Sequence, residues 1–207
     1  TGLPDEISEL FPGSFEESEL GEIPSGWTVE DLGSLANISG GKQLGEGKLK
    51  EKGSVPVYGA NGVMGFNEEK NHIGFVIIFG RVGAYCGSVK WEHDGAWVNN
   101  NASSVVPGSN PEFVLRSMLE ADYTNLRSGS AQPFISNSAL FGSRILSPPT
   151  SLKDLYCQLS QPLLLKQKAL SSQSETFALL RDALLPKLIS GELRVPDAEK
   201  MLEEVGI

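Results

Sequence analysis

Between Trp27 and Pro149 short apolar runs alternate with glycine-rich or polar breaks, the pattern of partly buried strands joined by turns. The runs predict strands at Val55–Tyr58, Phe75–Phe79, Ser88–Trp91, Ala96–Val98 and Ser103–Val106. Between them lie breaks at Gly59–Gly62, Gly80–Gly87 and His93–Gly95. Asn61–Gly62 and Asp94–Gly95 are dipeptides that favour tight hairpins, since both residue types tolerate left-handed backbone. A helical period over Pro111–Tyr123 predicts a helix with Phe113, Val114, Met118 and Leu119 on its apolar side. Leu126–Asn137 reads as a polar loop of small residues, and Arg144–Leu146 as a short strand ended by Pro148–Pro149.

The period changes at Ser151, where Ser151–Leu152–Lys153–Asp154 has the form of a capping box. Leu152, Tyr156, Leu159, Leu163, Lys166, Leu170, Gln173, Phe177, Leu180 and Leu184 follow at alternating intervals of four and three. That is a heptad seam with two polar interruptions, Lys166 and Gln173. Pro162 lacks an amide hydrogen, so a break or kink is expected there, with a short helix leading into a long one over 163–190. At 1.5 Å per residue the long part would run about 40 Å, and Gly191 would stop it. A lone helix of that length leaves its leucine stripe in water. Packing against a partner helix, internal or from another chain, is therefore expected over packing back onto its own domain. The pairing positions would be Leu159, Leu163, Leu170, Phe177, Leu180 and Leu184. The expected fold class is α+β, a strand-rich mixed body followed by this helix. The chain divides into an acidic lead or linker (1–24), the body (25–150), the helix (151–191) and a tail (192–207).

Charge first argues against nucleic acid, then ceases to. The net charge is −9, but residues 1–24 carry −7 and residues 197–207 carry −3, leaving +1 for residues 25–196. The acidity sits at the ends, and the middle is free to present basic patches. The two cysteines, Cys86 and Cys157, lie far apart with no CxxC, and the histidines are His72 and His93, so a structural zinc site is not expected. Such cysteine use fits a reducing cytoplasm. No apolar run approaches the roughly 18–20 residues that span a bilayer, so no membrane partner is expected. The sequence opens at Thr1 rather than Met, which reads as a cut or processed end or a piece of something longer.

The sequence carries no recognisable catalytic set, and neither cofactor nor metal is expected. No serine sits in G-x-S-x-G, and Cys86, after an aromatic in a turn, reads as a small core residue. Gly40–Lys48 (GGKQLGEGK) offers no register for G-x-x-x-x-G-K-[ST], and G-x-G-x-x-G fails because Lys50 falls where the third glycine belongs. What remains are polar loops. Residues 40–52 carry Lys42, Gln43, Lys48 and Lys50; residues 99–104 read NNNASS, with Asn99, Asn100 and Asn101; residues 127–138 carry Arg127, Ser128, Ser130 and Gln132. Amides and arginine suit base edges, while lysines and hydroxyls suit phosphates, so these loops are candidates for contact with nucleic acid. Each is equally at home in a solvated turn. Trp27, Trp91, Trp97 and Phe134 read as core rather than base-stacking residues.

Several stretches together resemble one family. LFPGSFEESELGEIPSGW at 10–27, followed by TVEDLGSLANISGGK, resembles the start of a target-recognition domain of type I restriction–modification specificity (S) subunits. VPVYGANG at Val55–Gly62, GRVG at Gly80–Gly83 and AQP at Ala131–Pro133 are similar to elements inside such domains, and LLPKLISGELRV at Leu184–Val195 to the family's usual ending. The resemblance implies a non-catalytic subunit with two recognition domains, each followed by a long helix, the helices pairing antiparallel. Each domain would read half of a bipartite site in double-stranded DNA. Two modification subunits, which methylate adenine with S-adenosylmethionine, and ATP-driven restriction subunits would assemble around it. One domain and one helix make half of that arrangement, to be completed by a second S half or by a copy of the same chain. In FGRVGAYCG, residues 79–87, Arg81 would serve the shared framework or rest on phosphate, and is a weaker candidate for base reading than Arg127–Gln132.

Two other classes fit parts of the chain. One is a coiled-coil protein–protein interaction module with no role on DNA. The other is a fragment of a fused methyltransferase–nuclease, which would carry an N/D-P-P-Y/F tetrapeptide; Ser147–Pro148–Pro149–Thr150 stands here instead.

Overall fold

The structure, a computed structural model, describes residues 5–129 and 131–197. In chain order the elements are α1 (Asp5–Ser8), β1 (Phe15–Ser18), β2 (Gly21–Pro24), β3 (Thr28–Asp31), α2 (Leu32–Leu35), β4 (Ala36–Gly40), β5 (Val55–Gly59) and β6 (Gly62–Asn67). There follow β7 (Val76–Gly80), β8 (Val89–Glu92), β9 (Trp97–Val98), β10 (Ala102–Pro107), α3 (Pro111–Glu120), α4 (Asn137–Phe141), β11 (Arg144–Ser147) and α5 (Thr150–Ser190). Single 3₁₀ turns lie at Gly83–Tyr85 and Thr124–Leu126. The chain forms two compact units, dividing between Gln158 and Leu159.

The first unit is built on an antiparallel four-stranded sheet in the order β4-β10-β7-β8. β7, VIIFG, is buried at every position, which is why its sequence is a continuous apolar run rather than an alternation. Beside it stands a three-stranded sheet in the order β6-β5-β9, with β5 and β9 parallel. Two further antiparallel pairs are β11 with β3 and β1 with β2. The largest fully buried side chains include Phe79, Ile77, Ile78, Leu32, Leu115, Met118, Ile135 and Leu140. Burying each such side chain stabilises the fold by about 1.5–3 kcal/mol.

Several sequence expectations change here. Residues 15–24 of the acidic lead form the β1–β2 hairpin, and Ile23 is buried. Arg144 fastens that hairpin by pairing with Glu19, while its other arm pairs with Asp31 at 2.6 Å. Asp94–Gly95 does not close a hairpin: β8 and β9 lie in different sheets, and the turn carries the chain between them. The hairpin expected at Asn61–Gly62 does form, joining β5 to β6 with Gly59 opposite Gly62. α3 ends at Glu120, so Leu119 in its last turn is exposed, and Leu115 is buried in its place beside Val114 and Met118. Trp27, Trp91 and Trp97 are half-buried rather than core; Trp91 stacks on Phe75 with ring centroids 5.6 Å apart.

α5 runs without a break through Pro162 and Pro186, so no short leading helix exists. A proline removes one ladder hydrogen bond, yet leucine, glutamine, lysine and alanine around it are good helix formers. The first turns are held in the body by buried Leu152 and by Lys153, whose ammonium donates to Ser147 Oγ at 3.0 Å. Its 41 residues span about 60 Å. Gly191 follows at φ +74°, the left-handed stop. Along the second unit Leu159, Leu163, Leu170 and Phe177 are more than half exposed, and Leu180 and Leu184 are partly so. Of the tail, residues 198–207 lie outside the described residues. Among the described residues no helix is long and apolar enough to cross a membrane.

Candidate nucleic-acid interface

The registers bring the ends of several strands together. Gly40 and Gly80 both lie at the last residues of their strands, against Ser103 and Ala102 at the start of β10. Beyond these ends the loops are tied by main-chain hydrogen bonds. Gly41 N–H donates to the Ala102 carbonyl at 3.0 Å and Lys42 N–H to Val98 at 2.9 Å. Arg81 N–H donates to Asn101 at 3.3 Å, Gly83 N–H to Pro133 at 2.9 Å and Ile135 N–H to the Arg81 carbonyl at 3.0 Å. The segments at 41–43, 81–88, 99–101, 127–129 and 131–136 thus form one surface, although more than 80 residues of sequence separate the first from the last.

FGRVGAYCG is the hub. A Cβ on Gly80 would come within 2.6 Å of the Tyr85 carbonyl oxygen and 2.7 Å of that of Ala60, so only glycine fits. The next turn, Gly83–Tyr85, begins at φ +73°. Arg81 is half-buried; its guanidinium lies over the Phe134 ring, 5.1 Å from the centroid, and its Nε is buried without a hydrogen-bond partner. Burial pushes the Cys86 thiol above its ordinary pKa, which leaves it a neutral core group.

The loop residues singled out from the sequence divide into two places. Lys42, Gln43, Asn100, Arg127, Ser128 and Gln132 are exposed on the surface just described. Arg127 reaches back with Nη2 to the Cys86 carbonyl at 3.0 Å, and Ser128 is bridged to Phe134. Asn99 is a turn residue: its Oδ1 accepts from Asn100 N–H at 2.7 Å, and its Nδ2 faces the Met64 sulfur at 3.7 Å. Asn101 contributes its carbonyl to Arg81. Ser130 lies outside the described residues. Lys48 and Lys50 stand elsewhere, along β6, where Lys50 bridges Phe66. Their ammonium groups pair with Glu69 and Glu68, each at 3.1 Å. The hydrogen bond from Lys50, followed by its charge, holds the Glu68 carboxyl below the usual range. Such exposed pairs contribute little to stability, but they offset the positive charge locally.

Two amides escaped sequence reasoning. Asn71 accepts from Val98 N–H at 2.8 Å and donates to its carbonyl at 2.9 Å, and so fixes the end of β9. Asn137 accepts from Ser103 Oγ at 2.6 Å. Nothing in the local sequence distinguishes either from a surface turn residue.

Comparison with known proteins now decides the family. The model for the type I restriction modification DNA specificity domain matches residues 24–153, more than half of the chain. The chain belongs to this family. Among relatives of the specificity family, the EcoprrI specificity subunit of Escherichia coli is 28% identical over 123 residues, covering 56% of this chain and 31% of that subunit. The MjaIX specificity subunit of Methanocaldococcus jannaschii is 37% identical over 71 residues, covering 33% and 16%. Of solved structures, the S subunit of a type I restriction–modification system from M. genitalium superimposes with a TM-score of 0.66 at 17% identity, over 79% of this chain and 46% of that one. The HsdS subunit from Thermoanaerobacter tengcongensis gives 0.51 at 17% identity, over 90% and 49%. The chain therefore has the fold of the specificity family, a strand-rich body followed by a long helix, and spans less than half the length of each of these relatives.

Proposed function

We propose that this chain recognises one half of a bipartite site in double-stranded DNA, as half of the specificity subunit of a type I restriction–modification complex. The observation that carries this reading is the joined surface of polar loops at one end of the sheets. Exposed amides, hydroxyls and cations stand there on a backbone tied from several directions. Gln43, Asn100, Arg127 and Gln132 are the groups suited to base edges, with Lys42, Arg81 and Ser128 suited to phosphate. Lys48 and Lys50 reach DNA only if the duplex displaces Glu69 and Glu68.

α5 serves as spacer and docking mast. Its exposed apolar stripe supports antiparallel pairing with a second S half or a second copy, and the paired helices would receive the modification and restriction subunits. The chain itself performs no chemistry in this reading. Selection from a library of randomised duplexes, with the modification subunit present, is expected to enrich a split sequence motif. Recovery of no motif would overturn DNA recognition and favour the coiled-coil interaction module.

A further inference from the structure

We infer that Arg81, Asn137 and Gly40 form a recessed notch that grips one phosphodiester of the DNA backbone, a site separate from the groups that read bases. The inference rests on this surface being the DNA-facing one. The point that a Cβ on Gly40 would occupy lies 3.4 Å from Nη1 of Arg81 and 3.6 Å from Nδ2 of Asn137. Gly40 has no side chain and is exposed, so this point is open to solvent. One oxygen placed there comes within reach of both donors.

Both donors are held and neither is spent. Arg81 is fixed by main-chain bonds from its N–H to Asn101 and to its carbonyl from Ile135, and its guanidinium is backed by the Phe134 ring. No hydrogen bond from its Nη1 is made to the described residues. Asn137 uses Oδ1 to accept from Ser103, which turns Nδ2 the other way, and among the described residues that Nδ2 has no acceptor. An arginine and an amide aimed at one open point call for an anionic oxygen.

The depth of the site selects phosphate over a base edge. Arg81 and Asn137 are half-buried, whereas Gln43, Asn100 and Gln132 are exposed. In a duplex the phosphates are outermost and the base edges lie at the groove floor, so a sunken donor pair meets phosphate while projecting loops meet bases.

The test uses the full chain in complex with its modification subunit, with random-sequence duplex DNA and a randomised duplex library as probes. Asn137→Asp keeps the acceptor for Ser103 and puts a negative charge in the notch; Gly40→Ala fills it at ordinary contact distance; Arg81→Gln removes the cation. Each variant is expected to weaken binding to random duplex about tenfold or more. Arg81→Gln is expected to flatten the slope of log affinity against log salt by about 0.9, and all three should leave the selected motif unchanged. Unchanged affinity in Asn137→Asp and Gly40→Ala would overturn the notch, as would an altered motif. If Arg81→Gln fails to fold, those two variants decide alone. A wild-type complex that selects no motif sinks the proposed function instead, so the two failures are told apart.

Discussion

Gly41 packs its α-carbon against the carbonyl of Asn99 so closely that a Cβ there would lie 2.6 Å from the carbonyl carbon and collide with its oxygen. This contact joins the first polar loop to the second through backbone alone. Gly41→Ala must push the two loops apart, and a loss of about 1–3 kcal/mol is expected in chemical denaturation. Gly40→Ala, one residue earlier, meets only side-chain atoms at 3.4 Å and beyond and should leave stability near that of the wild type. Equal destabilisation by the two changes would contradict the geometry.

Tyr123 lies edge-on to Phe79, ring centroids 4.8 Å apart, and its hydroxyl donates to the Met118 carbonyl at 2.9 Å. Burial pushes that hydroxyl's pKa well above the ordinary tyrosine value, which keeps it a neutral donor. Tyr123→Phe is expected to cost about 1 kcal/mol through the lost hydrogen bond. Tyr123→Ala should cost about 3–5 kcal/mol through the cavity. Urea unfolding followed by tryptophan fluorescence measures both, and a near-equal cost would show that packing is not what Tyr123 supplies.

His72 gives the fold a pH dependence of known sign. Burial, and then the positive charge of Lys42, lower its pKa below the usual value. Below about pH 6.5 the unfolded chain takes up a proton that folded His72 refuses, so stability falls as pH drops through that value and levels off once folded His72 protonates too. His72→Gln should flatten the difference in stability between pH 7.5 and pH 5.5. A parallel fall in wild type and variant would assign the effect to other groups.

Leu163 and Leu170, in the second unit, are 68% and 54% exposed, so replacing them removes little packing. Leu163→Asp with Leu170→Asp should leave the melting of the body unchanged and lower the mass of the assembly formed with the modification subunit, read by sedimentation. An unchanged mass would show that the stripe faces no partner.

Arg144 reaches Glu19 with one arm and Asp31 with the other. Arg144→Ala is expected to free the β1–β2 hairpin and speed limited proteolysis within residues 10–26, with the rest of the body resistant. High salt should speed cleavage of the wild type in the same place.

Much of this was legible in the sequence wherever one local signal decided the outcome. β7 was a continuous apolar run, and the heptad spacing of α5 needed only counting. Pro162 misled because helix termination depends on what the flanking turns gain, not on proline alone, and the residues around it are good helix formers. Leu115 displaced Leu119 because the helix ends one turn earlier than its apolar period, a limit set by Tyr123 entering the core. Asp94–Gly95 carries the hairpin signature but joins two sheets, since strand pairing is chosen by burial across the whole fold. The charge on Lys48 and Lys50 was visible, while the carboxylates that face them come from Glu68 and Glu69, across a β-hairpin. Asn137 was invisible for the same reason: its partner Ser103 and its neighbours Arg81 and Gly40 are brought to it only by folding.

The loops at this end of the sheets are fastened by main-chain hydrogen bonds, by glycines that make room for them and by a few side chains, among them Asn71, Trp97 and Arg127. Among the described residues, Gln43, Asn100 and Gln132 contribute no side-chain hydrogen bond to that fastening. A surface built this way can exchange its vocabulary without rewriting its grammar: substitutions at these positions leave the main-chain ties of the loops intact, so that under the proposed function new sequence preferences can arise one residue at a time on an unchanged fold.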